Sequence, residues 1–221
     1  MKIVVIGGEK GGTGKTTIAT NLAAARAIDK HDTLLVDTDP QSSGSSWNCI
    51  RDANKMKPRI SCIQKFGEGI TDELLDLRSR YESIIVDAGG RDSIELRASM
   101  VVADLLVVPV QASQFDLWTL STLEKLYKQV RAINRKLQVA ILISRAPTNP
   151  SVKDIEDAKA LVRDFKDFTL LDIVISDRTT YRRAAASGLS VLEYEPKNEK
   201  AILEVKALYN MIYDQRESTN E

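Results

Sequence analysis

The sequence predicts an α/β fold: a single domain with a doubly wound, mostly parallel sheet covered by helices on both faces. Short apolar runs alternate with helical patterns along the 221 residues, which is typical of such sheets. A glycine-rich segment at 8–17 lies between the first apolar run and the first helical pattern. Two later apolar runs end in an aspartate, Asp37 and Asp87. We expect one domain over 1–221, with 214–221 as a disordered polar tail.

The first elements are a strand at 3–6, the glycine-rich loop and a helix from about residue 18. Glycines let successive backbone N–H groups converge on phosphate oxygens, and a helix N-terminus adds positive charge. The common pattern G-x-x-x-x-G-K-[ST] requires glycine at position 9, where this chain has Glu9. A glycine-rich turn with chance lysines is the alternative. We predict a phosphate site formed by Gly11, Gly12, Thr13, Gly14, Lys15, Thr16 and Thr17. Lys15 is predicted to bind the β/γ-phosphates, and the Thr16 hydroxyl is predicted to bind Mg²⁺.

The remaining elements follow from pattern and length. Buried strands are predicted at 33–37, 59–63, 82–87, 105–109, 139–143 and 170–175, and helices at 70–81, 93–103, 114–133, 152–165, 178–187 and 201–213. Residues 42–47 are small and polar, 48–57 are ambiguous, and neither stretch is assigned an element. Gly188 is predicted to cap the C-terminus of the short helix before it.

Three loops should meet at the carboxyl ends of the strands, where ligands of such sheets bind. They contain the phosphate segment, Asp37 with Asp39, and Asp87 with Gly90. Asp87 is suited to hold Mg²⁺ through water, and Gly90 would let the backbone approach the γ-phosphate. Phosphoryl transfer needs positioning and charge neutralisation, so this set predicts phosphoryl-transfer chemistry with Mg²⁺. A cap or turn role remains the alternative for Asp37 and Asp39.

Composition excludes several other functions. Lys plus Arg and Asp plus Glu number 31 each, so net charge alone favours neither nucleic acid nor an anionic membrane. The opening Met1-Lys2 leaves no room for a signal peptide, and no apolar run has the length of a membrane span, which predicts a cytoplasmic protein. Cys49 and Cys62 are interpreted as ordinary thiols and His31 as a solvated loop residue.

The run K-G-G-T-G-K-T-T at 10–17 resembles the deviant-Walker ATPases of the ParA/MinD family, and the resemblance extends to 108–111 and 178–191. It implies a magnesium-associated role for Asp37 and polarisation of the attacking water by Asp39. It also implies that Lys10 reaches the nucleotide of a partner chain, so that ATP forms a homodimer with slow, partner-stimulated hydrolysis. Lys10 capping its own loop is the alternative.

Two segments depart from the family pattern. Ser144-Arg145 stands where relatives often carry Asn-Arg near the adenine. Asp87-Ala88-Gly89-Gly90 replaces a commoner aspartate followed by a proline-containing turn. The departures concern the base contacts and leave the phosphate-site prediction unchanged.

Within the family, the chain looks like a small plasmid-type ParA. The polar, acidic end at 214–221 disfavours a membrane anchor. We therefore expect a nucleoid-associated protein that drives plasmid or chromosome partition with a ParB-like or ribbon-helix-helix centromere-binding protein. Nonspecific DNA binding is assigned to Arg178, Arg182, Arg183, Lys200 and Lys206, for which a solvated basic face is the alternative. The alternative function is a MinD-like, nucleotide-gated scaffold that positions cargo or a relaxosome, in which ATP binding matters more than turnover.

Overall fold

The computed structural model describes residues 2–90, 92–111, 117–148 and 152–213. Its strands are β1 Lys2–Ile6, β2 Thr33–Asp37, β3 Ser61–Gln64, β4 Ser83–Asp87, β5 Leu105–Val110, β6 Gln138–Ala146 and β7 Phe168–Ser176. Its helices are α1 Lys15–Ile28, α2 Ser43–Ala53, α3 Ile70–Arg78, α4 Ile94–Val102, α5 Leu117–Arg131, α6 Val152–Arg163, α7 Thr179–Ala186 and α8 Glu199–Tyr213.

The seven strands form one sheet in the order β3-β2-β4-β1-β5-β6-β7, and every neighbouring pair is parallel. Helices cover both faces, because alternate residues of a strand point to opposite sides. Val5 belongs to the hydrophobic core that includes residues of α3, α4, α5 and α6, whereas Val4 belongs to the core that includes residues of α1, α2, α7 and α8. The predicted fold class is confirmed.

Strand β1 lies at the centre of the sheet, between β4 and β5; the chain forms β2, β3 and β4 on one side of it and then crosses to β5, β6 and β7 on the other. The loops that follow β1, β2 and β4 therefore meet at one edge, the carboxyl ends of the strands, where the sheet's winding direction changes. This arrangement brings the three predicted site loops together.

Most predicted elements occur within a few residues of their expected bounds. The helix predicted from residue 114 begins at Leu117, and residues 112–116 lie outside the described part of the chain. The predicted tail at 214–221 also lies outside it. None of the helices in the described ranges is long and apolar enough to cross a membrane.

Helix α2 was not predicted, because its first residues, Ser43 to Ser46, are small, polar and poor helix formers. Tertiary contacts stabilise it instead. At its N-terminus the Ser45 N–H donates to Asp37 Oδ2 at 2.7 Å. Farther along, Trp47 is 3% exposed and its Nε1 donates to the Leu189 carbonyl.

Arg51 fixes the same helix to the segment after α7. Its side chain is fully buried and forms two hydrogen bonds with the Glu193 carboxylate, at 3.0 and 2.6 Å. It also donates to the carbonyls of Pro58 and Gly188. Gly188 has φ +70°, and it and Leu189 donate backbone N–H bonds to the last turn of α7, so the predicted C-cap is confirmed.

Candidate nucleotide site

A cavity of about 780 Å³ opens at the carboxyl edge of the sheet. It is lined by residues of the phosphate loop, of the loops after β2 and β4, and of the ends of β6 and β7. Among the predicted site residues it contains Gly11, Gly12, Gly14, Lys15, Thr16, Thr17, Asp39 and Gly90. Most residues of the predicted phosphate site therefore line this cavity.

The phosphate loop has the backbone conformation that its glycines permit. Gly12 and Gly14 have φ of +74° and +91°, where a side chain would be strained, and α1 begins directly afterwards at Lys15. Lys15 is 6% exposed, and its Nζ donates to the Lys10 carbonyl at 2.7 Å. Burial lowers the pKa of Lys15, and the nearby Asp87 and Asp39 carboxylates oppose that shift.

Asp37 and Asp87 are register partners on the adjacent strands β2 and β4, and both are buried. Asp37 uses both of its carboxylate oxygens to accept backbone N–H groups, from Asp39 at 3.1 Å and from Ser45 at 2.7 Å. Asp37 thus caps helix α2, the structural role that the sequence left as an alternative.

Asp87 is different, because neither of its buried carboxylate oxygens accepts a hydrogen bond of good geometry from the described residues. Burial raises its pKa to about 7, and the Asp37 and Asp39 charges act in the same direction. The Thr16 hydroxyl and Lys15 oppose the shift. A buried carboxylate without partners is costly, and it marks a place that suits a cation.

Two glycines let the backbone come close to these groups. A Cβ on Gly90 would lie 2.9 Å from Gly11 Cα and 3.1 Å from Lys15 Nζ. A Cβ on Gly44 would lie 3.1 Å from Asp87 Oδ2 and 3.3 Å from Asp37 Oδ2. The approach of Gly90 to the γ-phosphate stays a prediction, and the close contact of Gly44 was not predicted because its helix was not predicted.

The donor set fits a magnesium nucleotide. Mg²⁺ prefers oxygen ligands, and the two unpartnered Asp87 oxygens lie near the Thr16 hydroxyl. Lys15 and the N-terminus of α1 supply positive charge for phosphates. Because both Asp37 oxygens already accept amides, Thr16 and Asp87 fit a metal better than Asp37 does.

The family model of the CobQ/CobB/MinD/ParA nucleotide-binding domain matches residues 4–191, which run from within β1 to beyond α7. The chain belongs to this family. The predicted resemblance is thereby confirmed.

Individual family members match over nearly the whole chain. Maintenance of carboxysome distribution protein A of Gloeobacter kilaueensis is 30% identical over 215 residues, 97% of this chain and 93% of that protein. Sporulation initiation inhibitor protein Soj of Bacillus subtilis is 26% identical across an alignment of 246 positions, which covers 90% of this chain and 94% of that protein. The septum site-determining protein MinD of Pyrococcus horikoshii, solved with Mg-ADP, has a TM-score of 0.73 at 18% identity and 96% coverage of both chains.

The remaining predicted site residues differ in their burial and in whether they line the cavity. Asp39 lies in the cavity, half-buried, and its Oδ1 accepts the Gln41 N–H at 2.9 Å. Lys10 is half-buried at the start of the phosphate loop. Thr13 is 3% exposed and is not part of the cavity lining, although it belongs to the loop.

The basic residues assigned to DNA do not form the single exposed patch that the sequence predicts. The side chain of Arg178 is only 15% exposed, and its guanidinium is paired with the buried Glu204 carboxylate at 2.7 Å. Arg182 lines the cavity and pairs with Asp177 at 3.0 Å. Arg183, Lys200 and Lys206 are exposed on α7 and α8.

The far wall of the cavity has contacts to the phosphate loop that the sequence analysis did not predict, although the family resemblance places 144–145 near the adenine. Arg145, at the end of β6, donates from Nη1 to the Gly12 carbonyl at 2.6 Å, and its Nη2 lies 3.7 Å from Asp177 Oδ2. Gln111, after β5, donates to the same Gly12 carbonyl at 3.1 Å. The sequence gives no sign of these contacts, because the partners are about 100 residues apart or more.

Proposed function

We propose that this chain is a Mg²⁺-dependent ATPase whose ATP-bound form is a homodimer that binds DNA without sequence preference. In this proposal it is a cytoplasmic, nucleoid-associated protein that segregates plasmid or chromosomal DNA with a ParB-like or ribbon-helix-helix centromere-binding protein. The observation that carries the ATPase assignment is the position of Asp87. This buried carboxylate, whose oxygens accept no hydrogen bond of good geometry from the part of the chain that is described, lies beside Thr16 and Lys15 of the phosphate loop.

The residues have distinct roles in this proposal. Lys15 and the loop N–H groups bind and neutralise the phosphates, and Thr16 and Asp87 hold Mg²⁺, with Asp37 positioning α2 next to them. When bound, Mg²⁺ would supply charge neutralisation at the phosphate oxygens. Asp39 lines the same cavity with a half-buried carboxylate, which suits it to orient water and accept its proton.

ATP binding is tested with Lys15→Ala. We expect nucleotide affinity to fall beyond detection by calorimetry, because the phosphates lose a buried cation that no other described lysine of the cavity replaces. Lys166→Ala, an exposed lysine before β7 at the opposite edge of the sheet, is the control. Unchanged ATP affinity in Lys15→Ala would disprove the site assignment.

The dimer and its hydrolysis are tested with two further variants. Asp39→Ala should bind ATP and Mg²⁺ but hydrolyse it at least about 100-fold more slowly, because it lacks the proposed general base. It should therefore remain a dimer with ATP. Lys10→Ala should remain a monomer with ATP if Lys10 contacts the partner's nucleotide. Sedimentation of both variants with ATP decides this, and normal dimerisation of Lys10→Ala would contradict the role across the interface.

DNA binding is assigned to the exposed cations of the two last helices. Tyr181 joins these helices by donating to Glu204, and Arg183 on α7 and Lys200 on α8 are both exposed. The formal net charge is zero, so one copy has little general attraction for DNA, whereas a dimer doubles any local patch.

Salt dependence measures this surface. Replacing Arg183 and Lys200 by alanine should flatten the log–log salt slope by about two to four, since each phosphate neutralised contributes about 0.9 and each residue occurs twice in the dimer. The control pair is Arg163→Ala with Lys166→Ala, at the opposite edge of the sheet. Random duplex is titrated by fluorescence anisotropy with ATP or ADP. Equal binding in both nucleotide states, or an unchanged slope, would refute the assignment.

A second candidate is a nucleotide-gated scaffold that positions a protein or relaxosome cargo. It is supported by the 30% identity to a protein named for maintaining carboxysome distribution. The dependence of each function on ATP hydrolysis distinguishes partition from a positioning scaffold. Partition predicts that DNA and a centromere-binding protein together stimulate hydrolysis, whereas a scaffold of this kind should retain cargo positioning in the slow Asp39→Ala variant.

A further inference from the structure

The Gly12 carbonyl of the phosphate loop is held by two side chains from other parts of the chain. Arg145 Nη1 donates to it at 2.6 Å and Gln111 Nε2 at 3.1 Å. Arg145 lies at the end of β6 and Gln111 directly after β5, two neighbouring strands on one side of β1. A loop carbonyl with a cationic donor and an amide donor is strongly fixed in direction.

Arg145 is itself held in an unusual conformation. Its φ of +51° is in the left-handed region, which costs a non-glycine residue of this kind about 1 kcal/mol or more. Its side chain lies against the loop, since a Cβ on Gly14 would be 3.6 Å from Arg145 Cγ. On the other side, Asp177 Oδ2 is 3.7 Å from Nη2, while Arg182 pairs with Asp177 Oδ1. Strained residues of this type persist at functional sites when their surroundings fix them.

The direction of this carbonyl determines the direction of the next N–H. The peptide between Gly12 and Thr13 is trans, since the only cis peptides of the described chain precede Pro58 and Pro196. In a planar trans peptide the C=O and the following N–H point in opposite directions. Fixing the Gly12 carbonyl on Arg145 and Gln111 therefore turns the Thr13 N–H away from them.

We propose that Arg145, with Gln111, is a positioning residue that holds the Gly12 carbonyl and so fixes the phosphate loop in one conformation before nucleotide binds. The inference rests on the proposed phosphate site and deepens it. It gives Arg145 a different role from the base contact that the family resemblance implies for this position. Preorganised N–H groups bind anions without the cost of ordering the loop.

The test separates the phosphates from the nucleoside. The affinities of ADP and of inorganic tripolyphosphate, each with Mg²⁺, are measured in the full chain by titration with a fluorescent ADP analogue and by its displacement. ADP avoids the proposed ATP-dependent dimerisation. We expect Arg145→Ala to weaken ADP and tripolyphosphate by the same factor, about tenfold, which is typical of one lost charge-assisted hydrogen bond. Gln111→Ala should weaken both by about threefold.

The matched control is Arg163→Ala, which removes an exposed arginine from the last turn of α6 and should change neither affinity. Weaker ADP binding with unchanged tripolyphosphate binding would overturn the proposal, since Arg145 would then contact the nucleoside. Unchanged affinity for both would overturn it too. If thermal unfolding shows that Arg145→Ala does not fold, Gln111→Ala decides by the same criteria.

Lys15→Ala distinguishes failure of this inference from failure of the proposed site. If Lys15→Ala keeps its tripolyphosphate affinity, the phosphate site itself is wrongly assigned. If Lys15→Ala loses that affinity while Arg145→Ala and Gln111→Ala keep theirs, the site stands and only the positioning role is refuted.

Discussion

Replacing Asp87 by asparagine should stabilise the nucleotide-free protein, and the gain should depend on pH. Burial raises the pKa of Asp87 from its ordinary value of 3.8 to about 7. Below pH 4 the carboxyl is protonated in both the folded and the unfolded chain, so Asp87→Asn and wild type should unfold alike. Between pH 4 and 7 only the unfolded chain ionises, and wild type loses about 1.4 kcal/mol of stability per pH unit relative to the variant. Above pH 7 the difference is constant.

The expected advantage of Asp87→Asn at pH 8 is therefore about 4 kcal/mol as an upper limit. Urea unfolding with a chelator present, at pH 5, 6, 7 and 8, measures it. Asp76→Asn, an exposed aspartate on α3, should show less than about 0.5 kcal/mol at any of these pH values. An Asp87→Asn protein that is no more stable than wild type at pH 8, or a difference that does not grow with pH, would refute the reasoning.

Three other substitutions test the packing around the site. Glu193→Gln should lower the free energy of unfolding by about 3–5 kcal/mol, because it leaves the fully buried Arg51 charge without its carboxylate. The control is Glu195→Gln at an exposed ion pair, which should lower it by less than about 1 kcal/mol. Gly188→Ala should lower the free energy of unfolding by about 3 kcal/mol or more, since its Cβ would lie 2.5 Å from the Arg51 backbone nitrogen. Gly67 also has positive φ but meets nothing within 4 Å, so Gly67→Ala should lower it by only about 1 kcal/mol. Equal losses of the two variants in chemical denaturation would contradict this. Gly90→Ala should weaken ADP binding at least about tenfold by calorimetry, because its Cβ collides with Gly11, whereas Gly89→Ala, whose Cβ makes ordinary contacts, should have a clearly smaller effect.

The stretch that sequence reasoning failed to assign is the one that tertiary contacts stabilise. Helix α2 begins with serines and a glycine, so local propensity does not predict it. It forms because Asp37 accepts the Ser45 N–H at its N-terminus and because Trp47 and Arg51 are buried against the segment at 188–193. These partners are 137 to 142 residues from Trp47 and Arg51, a distance at which no local pattern is visible.

The basic residues show the same limit. The sequence shows three arginines near one short helix, but it cannot show which of them meet a carboxylate in the fold. Arg178 is held by Glu204 and Arg182 by Asp177, so only Arg183 of the three is left with no carboxylate partner within 4 Å among the described residues. Charge counting in sequence overestimates a binding surface wherever partners come from distant segments.

By itself, the sequence determined the alternation of strands and helices, the glycine-rich phosphate loop and the aspartates at the strand ends. Each of these features depends only on local hydrophobic periodicity and on the types of adjacent residues. The tertiary structure alone decided that Asp37 is satisfied by amides, that neither oxygen of the buried Asp87 accepts a hydrogen bond of good geometry from the described residues, and that Arg145 and Gln111 hold the phosphate loop. Burial and hydrogen-bond direction depend on which distant segments pack together, and a parallel sheet brings together loops that are far apart in the chain.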